Sequence, residues 1–284
     1  MIRHTIQILP AQAMGAGGPP VPPSPLIRQA IDEHPYPLLL VSVSGAHLYG
    51  FPSRDSDIDL RGVYALPTSE VIGLEQGPDR IERVPREGEA PSIDMVTYDV
   101  RKLVTFLLQK NGNALEMIFS PLVAASSETW HSELSMLASQ TITRFHERHY
   151  RGFAMGTWKA LHKRAEREKK GVKHLLYLYR TLLTGIFLMR TGVVESHLPS
   201  LLEMIPVEGV QDLIERKREG EEQQGITEDE VLLHEKRYTN LMETLEQTML
   251  TSERRTEVSP TTKRALHHLV CRARLAATDE GEDR

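Results

Sequence analysis

The chain has 284 residues, is 40% hydrophobic and 26% charged, and carries a net charge of −5. That composition is ordinary for a soluble globular protein of one large or two smaller domains, and it excludes a uniformly basic nucleic-acid-coating protein. A single cysteine, Cys271, excludes a disulfide framework and fits a reducing, cytoplasmic setting, and no His or Cys cluster has zinc spacing. The longest apolar run, near "LYLYRTLLTGIFLM", is too short to span a bilayer and contains Arg180, so no membrane association is expected.

In chain order, residues 1–25 hold "PAQAMGAGGPPVPPSP", which reads as a flexible, partly polyproline arm. A helix is expected from Leu26 to Glu33. "PLLLVSVSG" reads as a buried strand ending at Gly45, and "IDLRGVYALP" as a second strand closed by Pro67. "SEVIGL" suggests a short helix. "DRIERVP" and "PSIDMVTYD" read as two more strands joined by the loop "REGEAP".

From Asp99 the hydrophobic period becomes helical, with Val100, Leu103, Val104, Leu107 and Leu108 on one face, Asp99 as N-cap and Gly112 as terminator. Helices are then expected at about 128–139, 141–168, 171–192, 198–205, 207–220, 227–252 and 260–277, the last with Ser259 as N-cap and Pro260 at its first position. Phe153 and Trp158 fall at core-like helical spacing. The chain thus divides into the arm, a mixed αβ part over 26–125 and a helical part over 126–284.

Charge is unevenly spread. Between Thr141 and Arg190 lie twelve Lys or Arg and three Glu, a local charge of +9 in an acidic chain. Such a segment is either a solvated helix face or a surface for phosphate-bearing ligands.

"SGAHLYGFPSRDSDIDLRGVY" concentrates the chemistry. Asp55, Asp57 and Asp59 imitate the start of a calcium-binding EF-hand loop, but Leu60 stands where Gly is needed and Leu66 where Glu is needed. On a strand, Asp57 and Asp59 share one face and Ile58 and Leu60 the other. Asp94, in a later strand-like run, is a third carboxylate that needs a reason. Two or three carboxylates on neighbouring strands form a hard-oxygen site suited to Mg²⁺ or Mn²⁺ and able to hold two ions. Arg61, two residues past Asp59, either neutralises the carboxylates in an ion pair or touches phosphate.

This stretch resembles the signature of the minimal nucleotidyltransferases of the DNA polymerase beta superfamily, most closely the type associated with RNA ligases. The likeness runs from Leu38 to Gly192. It includes Ser56-Asp57-Ile58-Asp59, the later Asp94, the turn from Asn111 to Glu116 and the basic helix "GVKHLLYLYRTLLTGIFLMRTG".

The resemblance implies an α+β fold, in which a polymerase-beta-like core of small mixed sheet and helices is followed by an all-α part. It implies transfer of an NMP from an NTP to a hydroxyl with release of pyrophosphate. Asp57, Asp59 and Asp94 would be the catalytic metal ligands. Gly45, Ala46, His47, Ser56, Lys173, Tyr177 and Arg180 would contact the nucleotide. An RNA or tRNA end is the favoured acceptor, and a protein hydroxyl is the alternative. Ala46 departs from the family's Ser. The lost hydroxyl contact is worth about 1 kcal/mol, and a non-catalytic NTP-binding protein also fits.

Overall fold

The computed structural model describes residues 25–220 and 224–281, with side chains through 277. The expected arm, apart from Pro25, lies outside them. Contacts group the chain into two compact units that are not collinear with the sequence. One comprises the residues up to Gly45, Asp57–Thr141 and the residues from Glu257 on; the other comprises Ala46–Ser56 and Ile142–Thr256. The sequence pattern had pointed to one linear boundary near residue 125.

The first unit is built on a five-stranded mixed sheet of β1 (Leu38–Ser44), β2 (Ile58–Tyr64), β3 (Arg80–Arg83), β4 (Ile93–Asp99) and β5 (Val123–Ser126), in the order β3-β4-β2-β1-β5. Strands β1 to β4 are those expected, and β5 was not anticipated. β1 lies between β2 and β5, antiparallel to both, which accounts for its nearly continuous apolar sequence and burial. β4 is parallel to β2, and β3 forms the edge beside it. Helix α1 (Pro25–Asp32) adds Ile27, Ala30 and Ile31 to a core cluster with Val41, Val43, Ile58, Leu60, Ile93 and Met95.

Asp99 ends β4 and caps α4 (Val100–Leu108), its side chain accepting from the Arg101 amide as expected. The same carboxylate takes both guanidinium nitrogens of Arg274 at 2.5 Å and the Leu66 amide at 3.3 Å. Arg274 belongs to α12 (Pro260–Gly281), where the Ser259 side chain accepts from the Thr262 amide. Gly112 does not terminate α4. Lys110 takes the left-handed turn at φ 63°, and Asn111 then caps a new helix, α5 (Gly112–Ile118), by accepting from the Asn113 and Ala114 amides. Helices α3 (Ser69–Ile72) and α6 (Glu128–Ser139) match expectation.

The hairpin between β3 and β4 is organised by Glu89. It accepts from both Arg83 guanidinium nitrogens and from the Arg86 and Ile93 amides. Hydrogen bonding from Arg83 holds its carboxyl down at about 2 against an ordinary value of 4.5. A depressed carboxylate stabilises the fold above its unfolded pKa, and that stability is lost as pH falls through the folded value. Between pH 4.5 and 2 the chain is expected to lose about 2 kcal/mol through this group alone. Urea midpoints measured across that window are expected to fall less steeply for Glu89→Gln than for the parent chain.

In the second unit, α8 (Arg164–Thr191) is the central helix, buried almost continuously from Gly171 to Ile186. Around it pack α7 (Glu147–Leu161), α9 (Leu198–Met204), α10 (Val210–Glu219) and α11 (Glu228–Thr251). The expected helix 141–168 is instead a short 3₁₀ turn (Arg144–His146) and α7. The break falls at His162–Lys163, and α8 runs through the expected gap with a kink at Lys170. Gly171 is needed just after that kink, because a Cβ there would meet Ile226 at 2.5 Å. Gly192 closes α8 in the left-handed conformation, and Thr227 and Glu230 form a capping box that starts α11. No helix among the described residues is long and apolar enough to cross a membrane.

Candidate active site

Strand periodicity sets the carboxylates of the sheet unit. On β2, Ile58 and Leu60 are buried in the core, so Asp59 and Arg61 face the other way. On β4, Ile93 and Met95 are buried in the same core, which turns Asp94 to the side of Asp59. The parallel register pairs Asp59 directly with Asp94. Two like charges at facing positions repel. Arg61 offsets this: one guanidinium nitrogen lies 3.0 Å from Asp59 and 3.6 Å from Asp94. Of the two roles open to Arg61 from sequence, the ion pair is the one seen.

Asp57 immediately precedes β2 and is exposed. Among the described residues no three His, Cys, Asp or Glu side chains gather as a metal-holding group. The donor chemistry nevertheless suits a divalent ion. Two carboxylates converge on one cationic nitrogen, and hard oxygens are the ligands Mg²⁺ and Mn²⁺ prefer.

Gly45 is fitted to the same carboxylate. It has φ +63°, and a Cβ there would lie 1.9 Å from Asp59 Oδ2. No other residue leaves room for that carboxylate, so the backbone at the end of β1 and the Asp59 side chain pack as one piece.

The segment Ala46–Ser56 belongs to the helical unit. It begins in the short helix α2 (Gly45–Tyr49) and buries Ala46, Leu48, Tyr49 and Phe51. His47 Nε2 is buried and has no hydrogen-bond partner among the described residues. Ser56 is 8% exposed. Its hydroxyl accepts from the Ser53 amide at 2.9 Å and lies 2.8 Å from the Ser53 hydroxyl.

Helix α10 holds this loop. Lys217, fully buried, donates to Ser53 Oγ at 2.9 Å, and Arg218 donates to the Gly50 carbonyl at 2.5 Å. Sequence reasoning missed Lys217, because "ERKREGEE" reads as a solvated charge run.

Lys173, Tyr177 and Arg180 share one face of α8, as their spacing implied. Tyr177 meets the rings of Tyr49 and Phe51 at 5.5 and 5.7 Å. The Arg180 guanidinium, in a residue only 2% exposed, lies 3.9 Å from the centre of the Tyr49 ring, and Lys173 Nζ lies 5.9 Å from that of Tyr177. Burial, with Arg180 behind it, pushes His149 down to about 4, so this imidazole is neutral near pH 7. His174 pairs with Glu166 at 3.3 Å, in keeping with a structural role. Trp158 stacks on Tyr238 at 4.4 Å, but Phe153 is exposed and not in the core.

Comparison with known proteins places these features. The chain is 31% identical over 163 residues to the uncharacterized protein MJ0002 of Methanocaldococcus jannaschii, an alignment covering 57% of this chain and 64% of that one. It is 26% identical over 186 residues to the uncharacterized protein YcgL of Bacillus subtilis, covering 63% and 69%. The chain thus spans a little under two thirds of the archaeal relative. A crystal structure of a nucleotidyltransferase-like protein from Exiguobacterium sibiricum aligns over 91% of this chain and 78% of that one, at 11% identity and a TM-score of 0.30. The profile of the RNA repair pathway DNA polymerase beta family, RlaP, matches residues 26–272. That span takes in the sheet, its paired carboxylates and the whole of the helical unit, and the chain belongs to this polymerase beta family.

Proposed function

We propose that the protein transfers a nucleoside monophosphate from an NTP to a hydroxyl at an RNA or tRNA end, releasing pyrophosphate. The observation that carries the proposal is the in-register pair Asp59 and Asp94 on adjacent parallel strands, with Gly45 pressed against Asp59. Paired like charges cost stability, and a fold keeps them where a cation has to be held.

Asp57, Asp59 and Asp94 are the residues that would hold Mg²⁺ or Mn²⁺. When bound, such ions lower the pKa of the attacking hydroxyl and neutralise charge on the leaving pyrophosphate. Asp94 helps take the proton from the acceptor hydroxyl. Arg61 offsets the repulsion of the carboxylates and orders them in the absence of that charge. Gly45, Ala46 and His47 are assigned to the phosphates, with the buried, unpartnered His47 Nε2 as the group that replaces the missing family hydroxyl. Lys173 is assigned to phosphate contact. Tyr177 and the buried Arg180 shape the segment that carries Tyr49. Ser56 acts through its loop hydrogen bonds. The RNA acceptor is supported by the family's RNA repair association and by the basic segment 144–173.

The test is incubation of the purified chain with each NTP labelled at the α-phosphate, Mg²⁺ or Mn²⁺, and total RNA or cell lysate. Label is expected on RNA and not with Asp57→Ala/Asp59→Ala. Label on protein would replace the acceptor. NTP binding without any transfer would show that Ala46 marks a protein that no longer turns over.

A further inference from the structure

Helix α7 presents a surface that the site above does not use. Arg148, Gly152, Met155 and Lys159 follow one another at helical spacing and are all exposed, with Phe153 and Gly156 exposed beside them. The stripe is roughly 16 Å long. Neither glycine would bring a Cβ within 4 Å of anything, so the backbone between the two cations is open. Phe153 is 40% and Met155 51% exposed. The only acid of α7, Glu147, is buried and pairs with Arg151. Arg148 and Lys159 have no carboxylate partner among the described residues; Arg148 lies only over the Phe145 ring, at 4.7 Å.

We infer that this face of α7 binds single-stranded RNA and so carries the acceptor strand. The identity of the polyanion rests on the RNA-end reading above. Charge decides the occupant. Cations at both ends of the stripe, with no acid between them, match a phosphate backbone. The exposed Phe153 at the edge of this face, between the two cations in height along the helix, offers a base a stacking platform, and the open glycines let a flat base or ribose approach the helix. A second copy of this chain would set these cations against their own kind. A lipid surface needs a broad apolar face, and this one has two apolar side chains.

The experiment is fluorescence anisotropy of a labelled single-stranded RNA 12-mer with the full chain, without NTP or metal, at two or more salt concentrations. Arg148→Glu/Lys159→Glu is expected to weaken binding at least tenfold. It is also expected to flatten the slope of log affinity against log salt by about 1.4, two phosphate contacts' worth. Phe153→Ala is expected to weaken binding about fivefold with the slope unchanged. Lys236→Glu, an exposed reversal on α11, should leave binding as it was.

Unchanged RNA affinity in the α7 variants, all with parent-like melting, overturns the inference, as does a parent chain that does not bind RNA. Labelled transfer onto RNA in either case leaves the proposed function standing. A dimer in sedimentation that Phe153→Ala dissolves assigns the face to a second copy and overturns the inference. Capture by phosphatidylserine vesicles that the same variants abolish assigns it to a membrane and overturns it too.

Discussion

Asp59→Asn is expected to lower kcat/KM for nucleotidyl transfer by about 10³-fold or more, roughly 4 kcal/mol of transition-state stabilisation, with the fold intact. Asp59 sits where three constraints meet. It faces Asp94 in register, it shares Arg61 with that residue, and the missing side chain of Gly45 makes room for it. An amide fills the same space and keeps a hydrogen bond to Arg61, but it removes one of two facing charges. Stability is therefore expected to hold or rise by about 0.2–1 kcal/mol, the value of relieving a like-charge cross-strand pair. Activity and stability should thus move in opposite directions, as they do where a site is kept at a cost to the fold. The check is a transfer assay beside a thermal melt, with Mn²⁺ binding followed separately. Lost transfer with unchanged Mn²⁺ affinity would remove Asp59 from the metal ligands. Unchanged transfer would remove it from the mechanism.

Arg274→Met is expected to destabilise the sheet unit by about 3–5 kcal/mol, the usual consequence of breaking a buried ion pair from one side. The side chains of Arg274 and Asp99 are 10% and 3% exposed, and both guanidinium nitrogens engage the carboxylate. Asp99 cannot move away to water. It is also the cap of α4 and the acceptor for the Leu66 amide. With Arg274 removed, a carboxylate would stay buried with amide donors alone. Adding Asp99→Asn should return much of the loss, since the neutral amide oxygen still caps α4. A denaturant double-mutant cycle measures this as a coupling of opposite sign to the single effects. Additive losses would mean that the pair contributes no coupling and that each residue acts by packing.

The two halves of the molecule were legible to different degrees. β2 and β4 could be read because alternation leaves little freedom. Once Ile58, Leu60, Ile93 and Met95 face the core, Asp59 and Asp94 must face away. Their register could not be read, since spacing along one strand carries nothing about its neighbour. β5 is four residues long and exists by pairing with β1, so it leaves almost no pattern of its own. At Gly112 the glycine suggested a stop, but Lys110 had already made the left-handed turn and Asn111 supplied the next cap.

The break between α7 and α8 falls in a Lys- and Arg-rich run with no Gly or Pro to mark it, while the break expected between 168 and 171 is only a kink within α8. Phe153 looked like core because helical spacing reports a face, not what covers it. Lys217 and Arg274 were illegible for a single reason. Each is a basic side chain whose partner lies more than 160 residues away, and no local pattern distinguishes it from a solvated neighbour.

The sheet unit is interleaved with the helical unit along the chain, and this orders its synthesis. Its strands are complete by Thr141, but α12, which brings Arg274 to Asp99 and the Thr262 hydroxyl to Gln140, comes after the helical unit has been made. At ordinary elongation rates that interval lasts about 7–27 s, far longer than a sheet of this size needs to form. For that time a nascent chain would carry a sheet whose Asp99 is buried or half-buried without its counter-charge, beside apolar surface on α4 and α6 that α12 later covers. A ribosome-held chain stopped before Pro260 should therefore be the species most readily captured by a holdase.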